Sequence, residues 1–234
     1  MRTLKILAIE TAAESCSAAL LIGTEVRERF LVQPRGHSEL ILGMMDELLV
    51  EAGLGLADLD ALAFGRGPGS FTGVRIATGV VQGAAFAAEL PVVPISTLAA
   101  LAQGLVRESG ARRILPAFDA RMGEVYWAAY EVGERGLVHP CLAEEVAPAD
   151  RVSLPGGGDW HGAGSGWRTY GAVLGQRLGA ALAGVSPDLL TSARDVALLG
   201  ADAYARGLAV AAELALPVYL RDRVAAKPGP PEPR

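Results

Sequence analysis

One supersecondary unit occurs twice in this chain, more than a hundred residues apart. Residues 4–9 are mainly apolar, end at the acidic Glu10, and are followed by a second extended segment. Residues 113–118 are also mainly apolar, end at Asp119, and are followed by the β-prone segment 124–130. Each copy has the pattern of a β-hairpin with a polar corner. The repeat predicts a fold built from two related lobes.

Strands and helices alternate between the two hairpins, so we expect an α/β fold in which a mixed sheet is covered by helices in each lobe. The first lobe is predicted to span residues 1–110 and the second residues 111–224. Residues 225–234 are rich in proline and offer little apolar surface to bury, which predicts a mobile tail.

Capping signals predict where several helices begin and end. Ser38 is expected to cap a helix that stops at Gly53, and a second helix is expected over residues 72–90. In the second lobe, Ser192 and Asp195 resemble a capping box, with Asp in place of the usual Glu. That pattern predicts a further helix directly after Ser192.

The charge and the cysteine content limit the classes of function. A formal net charge of -5 and an isoelectric point near 5.3 argue against a protein that grips a nucleic-acid backbone alone, since that attraction needs clustered Lys and Arg. Cys16 and Cys141 form no C-x-x-C pair, which is typical of a reducing compartment. No secretory signal begins the chain, and no apolar run reaches the ~18 residues of a membrane span. We expect a cytoplasmic protein without membrane contact.

A glycine-rich loop at residues 65–73 follows a predicted strand and precedes a predicted helix. Backbone amides and the helix dipole favour an anion at such a position. However, no Lys follows the loop as in a P-loop, and Thr72 stands where a dinucleotide-binding loop has its third glycine. A tight structural connection and a ligand site both remain open. The residues considered for the ligand site are Gly67, Gly69, Ser70, Thr72 and Arg75.

The helix after this loop carries small residues, Gly79, Gly83 and Ala87, at intervals of four. A glycine inside a helix costs about 1 kcal/mol relative to alanine, so two of them indicate that another helix packs closely there. The contacting helix could be the one after Ser38 or a helix of another chain. The adjacent pair Met44 and Met45 favours an adaptable exposed surface.

The sequence offers little for catalysis. His37, His139 and His161 do not share the i, i+4 spacing that would mount a metal ion on a helix, so no metal site is expected. Glu10 and Asp119 are the best acid candidates, because a duplicated fold could bring both to a cleft between the lobes. The alternative, in which each acid accepts hydrogen bonds from the amides of its own turn, is equally consistent with the sequence.

A family resemblance rests on long motifs in a fixed order. These are Gly-Arg-Gly-Pro-Gly-Ser-Phe-Thr-Gly-Val-Arg at residues 65–75, Asp-Ala-Arg-Met-Gly-Glu-Val-Tyr-Trp-Ala at 119–128, and Pro-Val-Tyr-Leu-Arg at 217–221. Residues 96–98 and the helix start at 37–38 also fit. In these motifs the chain resembles the bacterial TsaB (YeaZ) family, and the resemblance spans nearly the whole sequence.

The resemblance implies an actin-like, sugar-kinase-like (ASKHA) fold and a role in making threonylcarbamoyladenosine at position 37 of tRNAs that read codons starting with A. It implies that a TsaD-like catalytic homologue carries the chemistry and that a TsaE-like ATPase joins the complex. The chain itself would be a non-catalytic scaffold without a tightly bound cofactor, since ATP and metal would be held by the partner subunits. It would meet tRNA only through the complex.

The resemblance also implies that first-lobe helices form the partner-binding surface, which could make a homodimer when the partner is absent. Glu10 departs from the family, where Asp is usual, and its longer side chain disfavours independent Mg-nucleotide hydrolysis. Two alternatives remain, an autonomous actin-like ATPase and a glycoprotease-like peptidase. The residues assigned to the interface or its immediate support are Leu40, Ile41, Met44, Met45, Gly79, Gly83 and Ala87.

Overall fold

A computed structural model describes residues 3–33 and 36–221. The first sheet contains β1 (Lys5–Glu10), β2 (Ser15–Ile22), β3 (Glu25–Val32), β4 (Ala61–Gly65) and β5 (Val92–Ile95). The second sheet contains β6 (Arg113–Arg121), β7 (Glu124–Val132), β8 (Val138–Pro148), β9 (Trp160–Ala163) and β10 (Leu182–Ser186). The helices are α1 (His37–Ala52), α2 (Phe71–Ala88), α3 (Thr97–Ser109), α4 (Ser165–Leu178) and α5 (Ala193–Ala205). The tail predicted at residues 225–234 lies outside the described residues.

The two sheets have the same topology. The first has the strand order β3-β2-β1-β4-β5, and the second, read in the same sense, has the order β8-β7-β6-β9-β10. In each sheet the first three strands along the chain form antiparallel pairs, and the fourth and fifth strands run parallel to the first. The prediction of two related lobes, each with a mixed sheet and helices, is therefore confirmed.

Five layers stack through the molecule. Helices α1 and α2 cover the outer face of the first sheet, α3 and α5 lie between the two sheets, and α4 covers the outer face of the second sheet. The buried apolar side chains form three cores, one between α1/α2 and the first sheet, one around α3 and α5 between the two sheets, and one between the second sheet and α4. No helix of residues 3–33 and 36–221 is both long and apolar enough to cross a bilayer.

The two middle helices exchange lobes. Helix α3 belongs to residues 1–110 but packs against the second sheet, and α5 belongs to residues 111–224 but packs against the first. Gly110, where the sequence analysis divides the chain, ends α3 in a left-handed conformation (φ 73°). This division separates the two copies of the sequence repeat, although α3 and α5 each pack against the sheet of the other copy. Because of the exchange, each half of the chain completes the core of the other.

The structure corrects some of the predicted helix ends. Gly36, at φ 89°, precedes α1, so Ser38 lies inside the helix and does not cap it. Gly53 ends this helix at φ 65°, as predicted. Ser70 caps α2 by accepting a hydrogen bond from the Gly73 amide, so this helix begins one residue earlier than expected. The differences lie at helix ends, where positive-φ glycine competes with side-chain caps.

Asp195 does not complete the predicted capping box. The Ser192 hydroxyl accepts a hydrogen bond from the Arg194 amide, which caps α5. The Asp195 carboxylate instead points into the space between the middle helices, where it is fully buried against Arg107 of α3. The sequence does not show that Arg107 of α3 lies beside Asp195, and the carboxylate pairs with this guanidinium instead of capping the helix.

Candidate functional site

Several backbone amides in and beside the glycine-rich loop between β4 and α2 donate hydrogen bonds inside the chain. The Ser70 amide donates to the Ala12 carbonyl at 2.7 Å, and the Gly67 amide donates to the Thr97 hydroxyl at 3.1 Å. The Arg66 amide donates to Ile95, while the amides of Gly73 and Val74 both donate to Ser70. A phosphate would need these donors to be free. The geometry therefore favours the structural interpretation of the loop.

Two loop glycines are explained by close backbone packing. A Cβ atom on Gly69 would collide with the Ala12 carbonyl, and one on Gly73 would collide with the Thr11 carbonyl. The Thr11 hydroxyl also donates to the Gly73 carbonyl at 2.7 Å. The loop is thus pressed onto the turn between β1 and β2, which explains why both positions are glycine.

Glu10 is buried beneath the same loop. Its Oε1 accepts a hydrogen bond from the Ala12 amide at 2.6 Å, and its carboxyl group lies where a Cβ of Gly65 would be. Burial raises the pKa of Glu10 to about 7, although hydrogen bonds from the amides of Ala12 and Thr11 and from the Thr97 hydroxyl oppose the rise. Glu10 therefore serves its own turn and does not line the cleft between the lobes.

We expect Glu10→Gln to change how stability depends on pH. The pKa of Glu10 is higher in the folded chain than its ordinary value of 4.5, so the stability that the buried carboxyl group contributes is fully present below about pH 4.5 and is lost as pH rises through about 7. Glutamine does not titrate, so the stability of the variant relative to the parent should increase with pH, by at most about 1.4 kcal/mol per pH unit. Urea unfolding at several pH values between 5 and 8 measures this. A constant difference would show that Glu10 is already ionised at pH 5.

Asp119 lines the interlobe cleft, at the end of β6. Its Oδ1 accepts hydrogen bonds from the Arg121 amide at 2.8 Å and from the Tyr170 hydroxyl at 3.3 Å, and its Oδ2 pairs with the Arg121 guanidinium. The cleft has a volume of about 680 Å³. Arg168 of α4 bridges its two sides by pairing with Glu14 at 3.3 Å. The structure thus places only one of the two predicted acids in the cleft.

The histidines are apart from one another. His37 is buried with Nε2 3.2 Å from the Ser15 carbonyl, and His161 Nδ1 lies 3.2 Å from the carbonyl of Asp159. Across residues 3–33 and 36–221, no three His, Cys, Asp or Glu side chains converge as metal ligands.

The small residues of α2 face outward. Gly79, Gly83 and Ala87 are exposed, and a Cβ added to either glycine would meet no described atom within 4 Å. Helix α1 of the same chain is therefore not the helix that these glycines accommodate. The neighbouring Phe86 is 80% exposed. We call the surface formed by Gly79, Gly83, Phe86 and Ala87 of α2 together with the exposed side of α1 the outer helical face.

On α1 the structure separates the predicted interface residues into two groups. Ile41 and Met45 are buried in the core between α1 and the first sheet, so they can support an interface but cannot contact a partner. Leu40 and Met44 are half-buried beside them. Leu42, which was not predicted, is 58% exposed and belongs to the outer helical face. The apolar residues of α1 that were predicted for the interface therefore lie on, or next to, the side of the helix that faces the core.

A cluster of rings at the start of α2 was also missed by sequence reasoning. The Arg75 guanidinium lies 3.6 Å above the centre of the Phe71 ring, and its Nε donates to the Tyr219 hydroxyl at 2.9 Å. The Phe71 and Tyr219 ring centres are 5.8 Å apart. We call these three side chains the ring cluster. Phe71 and Arg75 lie one helical turn apart, but nothing in the sequence brings Tyr219 to them.

Comparison with known proteins gives consistent matches. The family model described as "TsaD: tRNA N6-adenosine threonylcarbamoyltransferase" matches residues 31–227. The "tRNA threonylcarbamoyladenosine biosynthesis protein TsaB" of Escherichia coli is 45% identical over 227 residues, which cover 96% of this chain and 97% of that protein. The Haemophilus influenzae protein of the same name is 42% identical over 178 residues, or 73% of this chain and 75% of that one.

Solved structures agree with these relatives. YeaZ from Pseudomonas aeruginosa is 47% identical and superimposes with a TM-score of 0.88, covering 93% of this chain and all of that chain. A second Pseudomonas aeruginosa structure, of a protein described as similar to peptidase YEAZ, is 46% identical with the same TM-score of 0.88. Since both the sequence identity and the two-lobed fold extend over nearly the whole molecule, this chain belongs to the bacterial TsaB (YeaZ) family.

Proposed function

We propose that this chain is a non-catalytic subunit in the biosynthesis of threonylcarbamoyladenosine in tRNA, acting in the cytoplasm. It pairs through the outer helical face with a catalytic homologue of the TsaD type, and it supports modification of position 37 in tRNAs that read codons starting with A. A TsaE-like ATPase joins the complex. The names of the Escherichia coli and Haemophilus influenzae relatives support the pathway.

The exposed glycines of α2 carry the pairing step of this proposal. Two glycines on the solvent side weaken a helix by about 1 kcal/mol each, and this cost has no compensation within the described chain. A partner helix that approaches the Gly79 and Gly83 backbones would supply one. Exposed Phe86 and Leu42 would then bury apolar surface that now faces water. The same face would join two copies of the chain when the partner is absent.

The loop geometry supports a non-catalytic role. The amides of Arg66, Gly67, Ser70 and Gly73 already donate hydrogen bonds within the chain, and Glu10 is buried beneath the loop. Metal and ATP would accordingly be held by the partner subunits. An autonomous actin-like ATPase would need these same groups to face the cleft.

Gly83→Leu tests the interface, and Gly171→Leu is its matched control. Both glycines lie in helices where an added Cβ meets no described atom within 4 Å, so both variants should fold. Leucine at residue 83 places bulk where two backbones approach, and we expect partner affinity to fall at least about tenfold, equivalent to about 1.4 kcal/mol. Leucine at residue 171, on α4, should leave affinity unchanged. Calorimetric titration with the TsaD-like partner measures both. Equal affinities would place the interface elsewhere.

Omission of the chain tests the function itself. In a reconstituted mixture of the TsaD-like and TsaE-like proteins, the adenylate donor and tRNA, modification should stop when this chain is left out. The chain alone should modify nothing. Continued modification without the chain would overturn the proposal, and turnover of ATP or of peptides by the isolated chain would support the ATPase or peptidase alternatives.

A further inference from the structure

The ring cluster at the start of α2 exposes aromatic surface that the fold does not need. Phe71 is 56% exposed and Tyr219 is 45% exposed. The start of α2 is already held by the Ser70 cap and by the hydrogen bonds of the glycine loop. The chain near Tyr219 is also held independently, because the Val218 amide donates to the Arg66 carbonyl at 2.8 Å. The exposed rings are therefore available for a ligand.

Arg75 gives this surface a positive charge. Within residues 3–33 and 36–221, its guanidinium has no carboxylate partner, and it stacks on Phe71 while donating to Tyr219. A guanidinium held flat against a ring is ordered before any ligand binds, so little side-chain entropy would be lost on binding. The cluster thus combines a planar apolar surface with a fixed, uncompensated cation.

Two adjoining cavities meet at the cluster and form what we call the arginine groove. One, of about 620 Å³, is lined by Phe71, Arg75, Tyr219 and Arg221. The other is the interlobe cleft, where Arg121 and Arg168 pair with the carboxylates of Asp119 and Glu14. Gly69, Phe71 and Tyr126 line both cavities, so the two cavities lie side by side.

The charge around the ring cluster contrasts with that of the whole chain. The net charge of the protein is -5, yet the cavity around the ring cluster has two arginines and no carboxylate among its lining residues. Arg221 pairs with Glu124 beside this cavity, so Arg75 supplies its uncompensated charge. Single-stranded nucleic acid is bound by this combination, in which bases stack on aromatic rings and arginines contact the phosphates. An acidic chain with one such groove would bind RNA weakly alone and better beside a partner that adds positive charge.

We propose that the arginine groove binds a single-stranded segment of the tRNA, with one unpaired base stacked on the ring cluster and its phosphate near Arg75. This inference rests on the proposed function, because it takes tRNA as the substrate of the complex. It adds a direct RNA contact by this chain. The chain would then help to position the RNA as well as to hold the catalytic subunit.

The test is RNA binding by the complex of this full-length chain with its TsaD-like partner, using a fluorescein-labelled anticodon stem-loop. Phe71→Ala and Tyr219→Ala should each weaken binding about 5- to 100-fold, the range for the loss of one base–aromatic stack. Phe30→Ala removes an exposed ring of β3 outside the groove and should have no effect. Arg75→Gln should also reduce the slope of log affinity against log salt by about 0.7, the value for one phosphate contact on a single strand.

Partner affinity and melting temperature are measured on the same variants. Weaker RNA binding with unchanged partner affinity and folding supports the inference. Unchanged RNA affinity in Phe71→Ala and Arg75→Gln overturns it, as does a loss of partner affinity, which would make the ring cluster a protein contact. If AMP displaced the labelled RNA as effectively as unlabelled RNA does, and if the same variants no longer bound AMP, the inference would be overturned in favour of a free nucleotide. If the chain is required for modification while RNA affinity is unchanged, only this inference fails and the proposed function stands.

Discussion

Replacing Arg107 with leucine should lower the free energy of unfolding by about 3 kcal/mol near neutral pH. Asp195 is completely buried between α3 and α5, and its two oxygens accept hydrogen bonds from Arg107 Nε at 3.2 Å and Nη2 at 3.0 Å. The variant leaves this carboxylate without its cation, and a buried unpaired charge is costly. We take the lower end of the usual range because the Arg107 side chain is 36% exposed and its charge is partly screened.

The loss should grow as pH rises. Burial raises the pKa of Asp195, and Arg107 opposes this rise. Without Arg107 the largest influence that lowers this pKa is gone, while burial and the charge of Glu28 still raise it. The folded variant therefore holds a proton that the unfolded chain releases, and its stability falls as pH increases. Guanidinium unfolding at pH 5 and pH 8 measures the effect, and the variant should be closer to the parent at pH 5.

Arg29→Leu is the matched control for this prediction. Arg29 also pairs with two carboxylates, those of Glu47 and Glu51, and its side chain is 37% exposed, but both of its partners are well exposed. Its removal should cost far less than that of Arg107, because solvent screens an exposed pair. The double variant Arg107→Leu/Asp195→Asn should recover part of the loss, because the buried charge is gone. If Arg107→Leu were no more destabilising than Arg29→Leu, Asp195 would be solvated or protonated in the parent.

The Arg107–Asp195 pair also shows why the two halves of the chain depend on each other. Arg107 lies on the helix that packs against the second sheet, and Asp195 lies on the helix that packs against the first. The ion pair therefore joins the two lobes through the exchanged helices. Loss of this ion pair should loosen the packing of α3 and α5 against both sheets together. Unfolding of the Arg107→Leu variant should therefore remain a single transition.

The hairpin repeat was readable because each copy has a local signature of apolar residues, an acid and a return strand. β3 was missed, since Glu25–Val32 is an edge strand whose charged residues give no alternating pattern. The exchange of α3 and α5 could not be predicted either. It depends on contacts between residues far apart in sequence, and the apolar stripes of the two helices do not indicate which sheet they cover.

The candidate site, like the fold, could be predicted from the sequence only in part. The sequence indicated close packing on the small-residue side of α2, and the structure shows that this side is open. It could not show which side of α1 is buried, because Leu40, Ile41, Met44 and Met45 form a stripe that suits a core as well as an interface. For Glu10 the sequence left a cleft position and a bond to its own turn equally open, and the structure shows the second, since the Ala12 amide of that turn donates to its carboxylate.

Two glycines of α2 should respond to alanine with opposite signs, and this is the most direct test of the loop geometry. Gly73→Ala should destabilise the chain by about 3 kcal/mol or more, since its Cβ would overlap the Thr11 carbonyl in a backbone that cannot move aside without losing β1–β2 contacts. Gly79→Ala should stabilise it by about 1 kcal/mol, because the site is open and alanine is the better helix former. The two changes add the same methyl group to the same helix.

Thermal and urea unfolding of the two variants, prepared in parallel, decide the matter. Should Gly73→Ala fail to accumulate as folded protein while Gly79→Ala behaves normally, the prediction holds in its strongest form. Equal effects of one sign would mean that the loop does not press on the turn at Thr11 and Ala12. In that event the loop amides would be free of their present acceptors, and the case for a phosphate site at Gly69, Ser70 and Thr72 would reopen.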